Sequence, residues 1–196
     1  MNKLMMILLA VGLAGCDDDV IKEKDIYVVA GQSNAVLCNW WYFEYRTDSE
    51  VKVIADGGKT IGYLYNDFEN KRHIVDGFDV KAIIFVHGES DAMNKNPVYA
   101  EKVEAYRGLI GDVPLLISNV GYFGYHKKDN YPDVIFDSIT KQVNDEIEVN
   151  DSWILAFDDA KNFPDWGMLE SDGVHFTEAG CMMMMDAMAN AVANIE

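Results

Sequence analysis

The sequence predicts a three-layer α/β/α sandwich built on a central, mostly parallel sheet of about five strands. Three observations carry that expectation. Five short runs are apolar at consecutive positions, the pattern of strands covered by helices on both faces. The first three runs stop at glycine-containing turns. Helical periodicity, rather than further hairpins, lies between and after the runs.

Asp25-Ile26-Tyr27-Val28-Val29-Ala30 is β-branched and aromatic and ends at Gly31, a buried strand followed by a turn. Val51 to Ala55 is closed by Asp56-Gly57-Gly58, and Lys81 to Val86, the clearest strand, is stopped at His87-Gly88. Pro114 to Asn119 and Trp153 to Phe157 complete the set. Tyr99 to Leu109 has a helical pattern. Pro132 suits the first turn of a helix whose stripe is Ile135, Ile139, Val143 and Ile147. The last helix begins at Thr177, a suitable N-cap, with Glu178 favoured in the first turn by the helix dipole. Its stripe is Cys181, Met185, Met188 and Val192, and the methionine run 182–185 reads as adaptable core filler. With no internal repeat, residues 25–196 read as one domain.

Of the 196 residues 49% are hydrophobic and only 4 are proline, enough apolar content for a core. The 33 acidic against 16 basic side chains give a formal charge of −17. Without a basic face or run, no nucleic-acid partner is expected, and anionic polymers are repelled at low salt. Lys3 precedes an uncharged stretch from Leu4 to Gly15, too short for the about 20 residues of a membrane-spanning helix. It fits the apolar region of a secretory signal. Leu13-Ala14-Gly15-Cys16 resembles the bacterial lipobox. That resemblance implies removal of residues 1–15 and lipidation of Cys16, which would tie the protein to a membrane of the bacterial cell envelope. Residues 16–24 then form an acidic tether, in which Asp17 is either a retention signal or simply solvated. Outside the cytosol disulfides persist. Cys38 and Cys181 are therefore either a disulfide or two buried thiols, and their sequence positions leave both open.

Three segments carry chemistry. Gly31-Gln32-Ser33-Asn34 follows the first strand, where an open parallel sheet places its ligands. A serine hydroxyl there is a turn or cap unless a base takes its proton. Ser171-Asp172-Gly173-Val174-His175 precedes the last helix. Its spacing lets Asp172 fix the tautomer and orientation of His175. His87-Gly88-Glu89-Ser90-Asp91 follows the third strand. Gly88 permits close backbone approach, His87 could donate to an oxyanion, and Glu89 either orients neighbours or holds loop amides from a buried position.

Together and in this order, Gly-Gln-Ser-Asn, Gly-Glu-Ser-Asp and Asp-Gly-Val-His resemble the SGNH hydrolases, more narrowly their sialate O-acetylesterase and acetyl xylan esterase branch. The resemblance implies the SGNH, flavodoxin-like version of the sandwich. It also implies Ser33 as nucleophile, His175 as general base then acid, and Asp172 as its orienting partner. Asp56-Gly57-Gly58-Lys59 resembles the block that supplies an oxyanion-hole amide, assigned here to Gly58 with Gly57 as its neighbour. The Ser33 amide and His87 are further donors, His87 standing where the family often has glutamine. Gln32, Asn34, Gly57 and Glu89 bind substrate or support the site. Ala35 replaces a common methionine.

The activity implied is hydrolysis of O-acetyl esters on a carbohydrate, sialic acid or another glycan, through an acetyl-enzyme. No cofactor is required, and His73, His87, His126 and His175 lack the spacing of a zinc site. The alternatives are a weakly active or inactive glycan-binding lipoprotein on the same scaffold, and a lipase or thioesterase of the same superfamily. Trp40, Trp41, Tyr42, Phe43 and Tyr45 after the nucleophile, and Tyr122, Phe123 and Tyr125 after the fourth strand, are either sugar-stacking rings or core. The sequence does not give the oligomeric state.

Overall fold

The structure, a computed structural model, describes residues 24–93, 99–120, 144, 145, 147 and 153–195. The expected signal segment, Cys16, the tether before Lys24, all of the expected Pro132 helix stripe except Ile147, and Tyr122, Phe123, Tyr125 and His126 lie outside the described residues.

Five parallel strands form one sheet in the order β2-β1-β3-β4-β5. They are β1 (Ile26–Gly31), β2 (Glu50–Ala55), β3 (Val80–Val86), β4 (Leu115–Ser118) and β5 (Ile154–Phe157), each at its expected place to within one or two residues. Strand residues alternate between two cores. Tyr27, Val29, Ala82, Ile84 and Leu116 face one; Val28, Ala30, Ile83, Phe85, Leu115 and Ile117 face the other. A sheet buried on both sides explains why its strands are apolar throughout.

The first core is closed by α1 (Ser33–Leu37), α2 (Trp41–Thr47) and the C-terminal helix; the second by α3 (Ile61–Lys71) and a helix at Tyr99–Ile110. Among the described residues the other named helices, in chain order, are α4 (Glu89–Met93), α5 (Tyr99–Ile110), α6 (Phe163–Trp166) and α7 (Glu178–Val192), and Asn144, Asp145 and Ile147 are also helical. Thr177 caps α7 as expected, its hydroxyl accepting from the Gly180 amide at 3.2 Å. The stripe Cys181, Met185, Met188 and Val192 is buried, joined by Met184. Helix α3 has no counterpart in the sequence expectation. Its stripe Ile61, Leu64 and Phe68 is buried, but Gly62, Asn66 and Asn70 dilute the helical signal, so tertiary burial overrides weak propensity.

The strand order makes β1 and β3 the switch point, where successive connections leave in opposite directions and a crevice opens at the carboxyl ends. Two glycines shape that crevice. Gly31 has φ +145°, and a Cβ there would lie 2.0 Å from the Val86 carbonyl oxygen. The same oxygen accepts from the Gln32 amide at 3.1 Å, so the chain leaves β1 pressed against β3. At Gly88, φ +131°, a Cβ would meet Val120 at 2.2 Å. Ser33 and the His87–Asp91 segment therefore emerge side by side.

Candidate active site

Ser33 begins α1 and is half-buried, while Gln32 and Asn34 on either side are fully buried. Gln32 donates through Nε2 to Glu89 and accepts at Oε1 from the Ser90 amide at 3.1 Å. Asn34 Nδ2 donates to the other Glu89 oxygen at 3.0 Å. Glu89 is thus a buried acid, as one reading of the sequence had it, and its carboxylate accepts from its own backbone amide as well as from the Gln32 and Asn34 side chains. Burial pushes its carboxyl above the ordinary range, and its hydrogen bonds and the nearby His175 pull the other way. Gln32 and Asn34, both bonded to Glu89, are buried with it on either side of Ser33.

Asn34 also joins the front of the chain to its back. Its Oδ1 accepts from the Phe176 amide at 3.0 Å and its Nδ2 reaches the Val174 carbonyl at 3.4 Å. The residue beside Ser33 therefore grips the residues on both sides of His175. A disulfide between Cys38 and Cys181 ties the same two segments together again, across 143 residues. Of the two states the sequence left open for these cysteines, the structure has the bonded one.

The His175 imidazole is oriented by Asp172. Nδ1 donates to Asp172 Oδ2 at 2.6 Å, while Oδ1 accepts from the Val174 and His175 amides at 2.9 and 3.0 Å. Partial burial pushes the Asp172 carboxyl up, but these hydrogen bonds and the neighbouring imidazole outweigh it and hold the group down at about 2. An ionised Asp172 keeps the proton of neutral His175 on Nδ1 and leaves the Nε2 lone pair free to act as a base. Among the described residues Ser33 and His175 share no direct hydrogen bond; catalytic pairs often close only when substrate binds.

The loop after β2 lies against the serine: a Cβ added at Gly57 would sit 3.8 Å from Ser33 Cβ, while one at Gly58 would meet nothing within 4 Å. Two buried side chains hold this loop. His87 Nε2 donates to the Lys59 carbonyl at 2.9 Å, and Asp91 Oδ2 accepts from the Ile61 amide at 2.8 Å. This corrects the expectation that His87 donates to an oxyanion. Its side chain is fully buried, stacked between Phe85 and Tyr99 with ring centroids 5.3 and 6.0 Å away, and Nδ1 faces Asp91 Oδ2 at 3.4 Å. Both ring nitrogens face protein groups, Nε2 the Lys59 carbonyl and Nδ1 Asp91. Burial holds His87 below the ordinary imidazole range, with Asp91 and the Lys59 carbonyl opposing.

No family model matches this chain, and no curated protein matches it. Solved structures do. A Slackia heliotrinireducens protein held to be an SGNH hydrolase superposes with a TM-score of 0.67 at 16% identity, covering 86% of this chain and 98% of that one. The catalytic domain of a Streptococcus pneumoniae peptidoglycan O-acetyltransferase gives 0.60 at 19%, covering 88% and 94%. A Geobacillus stearothermophilus acetyl xylan esterase gives 0.56 at 16%, covering 87% and 95%. The chain has the SGNH hydrolase fold.

On this SGNH scaffold a cavity of about 570 Å³ opens beside Asp172 and His175. Cys181, Met185 and Phe176 line it more deeply, and Leu37, Trp41 and Met182 are among its exposed residues. The aromatic cluster after Ser33 divides accordingly: Trp40 and Phe43 are core, whereas Trp41 and Tyr45, at i and i+4 on the outer face of α2, are exposed. The methionine run, expected as core filler, is core only in part: Met184 and Met185 are buried, whereas Met182 is exposed at the cavity. Leu37 carries no sequence signal; only the position of α1 exposes it.

Proposed function

We propose that this protein is a serine esterase that removes O-acetyl groups from a carbohydrate, with Ser33 as nucleophile, His175 as base then acid, and Asp172 as the group that orients the imidazole. One observation carries the reading: Asn34, next to Ser33, is hydrogen-bonded to both chain neighbours of a histidine whose Nδ1 is already held by a carboxylate. The similarity of fold to an acetyl xylan esterase and to an O-acetyltransferase domain supports acyl chemistry on a sugar.

In the proposed reaction His175 Nε2 takes the Ser33 proton as Oγ bonds to the ester carbonyl carbon. The carbonyl electron pair moves to oxygen, where the Ser33 and Gly58 amides stabilise it; one such donor is typically worth about 10²–10³ in turnover. As the tetrahedral intermediate collapses, the bond to the sugar oxygen breaks and that oxygen takes the proton from Nε2. Water, deprotonated by the same nitrogen, then releases acetate and restores Ser33. Asp172 stays ionised and stabilises the transient imidazolium. His87 and Asp91 act behind the site, holding the loop that bears Gly57 and Gly58.

Lipidation of Cys16 would anchor the enzyme in the bacterial cell envelope. The Cys38–Cys181 disulfide supports an exported location, because such bonds persist outside the reducing cytosol. The test is hydrolysis of 4-nitrophenyl acetate together with labelling by a fluorophosphonate and mapping of the modified residue. Turnover and labelling at Ser33, both lost in Ser33→Ala and turnover lost in His175→Ala, are the expected results. Unchanged turnover in Ser33→Ala overturns the assignment. A rate that rises with acyl chain length would instead favour a lipase or thioesterase of the same fold.

A further inference from the structure

The geometry points to a neutral or cationic sugar, not an acidic one, as the alcohol half of the substrate, bound in the cavity beside His175 with its apolar face against Trp41. This rests on the esterase reading above and narrows it.

The direction follows from proton transfer. The group that protonates the leaving oxygen is His175 Nε2, so the sugar must leave on the imidazole side of the serine. The cavity of about 570 Å³ is bordered by Asp172 and His175, with Leu37 of the Ser33 helix also in its lining, and its size is within the roughly 300–1,000 Å³ of small-ligand sites. Its exposed apolar surface is concentrated in three side chains: Leu37 is 60% exposed, Trp41 52% and Met182 36%. A half-exposed indole on a cavity wall offers a flat face to the C–H side of a pyranose, while Leu37 and Met182 flank it.

The polar part of the same lining has one sign. Glu170, Asp172 and Glu178 contribute carboxylates, and among the described residues no lysine or arginine borders the cavity. Glu170 and Glu178 are exposed and form no ion pair among the described residues. Asp172 is kept ionised by its hydrogen bonds. The whole chain carries a formal charge of −17, so the long-range field has the same sign as the local one. A sialic or uronic acid would bring its carboxylate against these groups, with no lysine or arginine among the described lining residues to receive it, whereas a neutral hexosamine or a free amino sugar would not.

The experiment compares kcat/KM of the full chain on 4-nitrophenyl acetate, an O-acetylated neutral sugar, an O-acetylated free amino sugar and an O-acetylated sialic acid, at low and high salt. Expected are a preference of about tenfold or more for the neutral and cationic sugars over the acidic one, shrinking as salt rises. The surface pair Glu170→Gln with Glu178→Gln should raise kcat/KM on the acidic substrate toward that on the neutral one. Trp41→Ala should raise KM for the sugar acetates by about fivefold more than for the aryl acetate. Turnover of the aryl acetate with equal or better turnover of the acidic sugar overturns this inference and leaves the esterase reading standing. So does a Trp41→Ala effect of the same size on all four substrates. Absence of turnover on every ester, with no labelling at Ser33, overturns both.

Discussion

The disulfide between Cys38 and Cys181 permits a quantitative test of how the site is assembled. It closes a segment of 143 residues, most of the chain from Lys24 onward. In the chain-entropy account, joining residues so far apart removes about 17 cal/mol/K from the unfolded ensemble, or about 5 kcal/mol at 25 °C. Residual compactness of the unfolded chain reduces the measured value below that ceiling. For a domain of this size each kcal/mol moves the melting temperature by about 2–4 °C, so the double variant Cys38→Ala with Cys181→Ala should melt up to about 10–20 °C lower. Both cysteines are replaced together so that no buried lone thiol is left behind. The assay is a calorimetric melt of wild type with and without reductant, set against the double variant, with thiols titrated in denaturant before reduction. The bond predicts no reactive thiol beyond Cys16 among the three cysteines in the sequence. It also predicts a loss of kcat larger than any change in KM, because the bond joins the Ser33 segment to the His175 segment. Free thiols at both Cys38 and Cys181 in the unreduced protein, or a melting temperature of the double variant within about 2 °C of wild type, refute the reasoning.

Other substitutions probe the remaining contacts. Asn34→Ala removes the acceptor of the Phe176 amide and a donor to Glu89; it should cost about 2–4 kcal/mol in a denaturant melt and lower kcat more than substrate binding. Asp172→Asn loses the carboxylate that fixes the His175 tautomer, and turnover of 4-nitrophenyl acetate should fall on the order of 10⁴-fold with the fold intact by circular dichroism. Because the folded protein holds Asp172 at about 2, below the ordinary carboxylate value of 3.8, its contribution to stability is present above that ordinary value and fades as pH falls toward 2. Half-exposure keeps that contribution under about 1 kcal/mol. His87 lies below the ordinary imidazole value of 6.5 in the folded state, so the unfolded chain takes up the proton first and stability falls as pH drops below that value. His87→Gln, whose amide still donates to the Lys59 carbonyl, should flatten the slope of melting temperature against pH in that range; an unchanged slope refutes the assignment. Gly31→Ala drives a Cβ into the Val86 carbonyl and should cost about 3 kcal/mol or more, read as loss of soluble, folded protein.

Buried polar groups do most of the positioning at this site. Glu89 binds Gln32 and Asn34, Asp91 binds the amide that starts α3, and His87 binds a carbonyl one residue past Gly58. Each of these side chains would be costly to leave unpaired in the interior, so the loops that satisfy them have little freedom to move. Three loops from the ends of β1, β2 and β3 are thereby locked to one another, and through Asn34 to the loop that carries His175.

The strands, the Thr177 cap, the α7 stripe and the Asp172–His175 pair were legible in the residues, because each is written in a local pattern: consecutive apolar positions, a hydroxyl before a helical run, a carboxylate three residues before an imidazole. Short-range spacing and backbone geometry suffice for these. Helix α3 was not legible, since its stripe competes with weak helix formers and is stabilised by the sheet it covers. The side of the loop to which His87 turns, the pairing of Cys38 with Cys181, and the division of the aromatic cluster into core and surface rings depend on which distant segments meet. His87 lies inward because Phe85 and Tyr99 sandwich its ring and Lys59 offers a carbonyl, contacts contributed by three separate stretches of chain. Burial and through-space pairing are properties of the packed chain, and no spacing along the sequence encodes them.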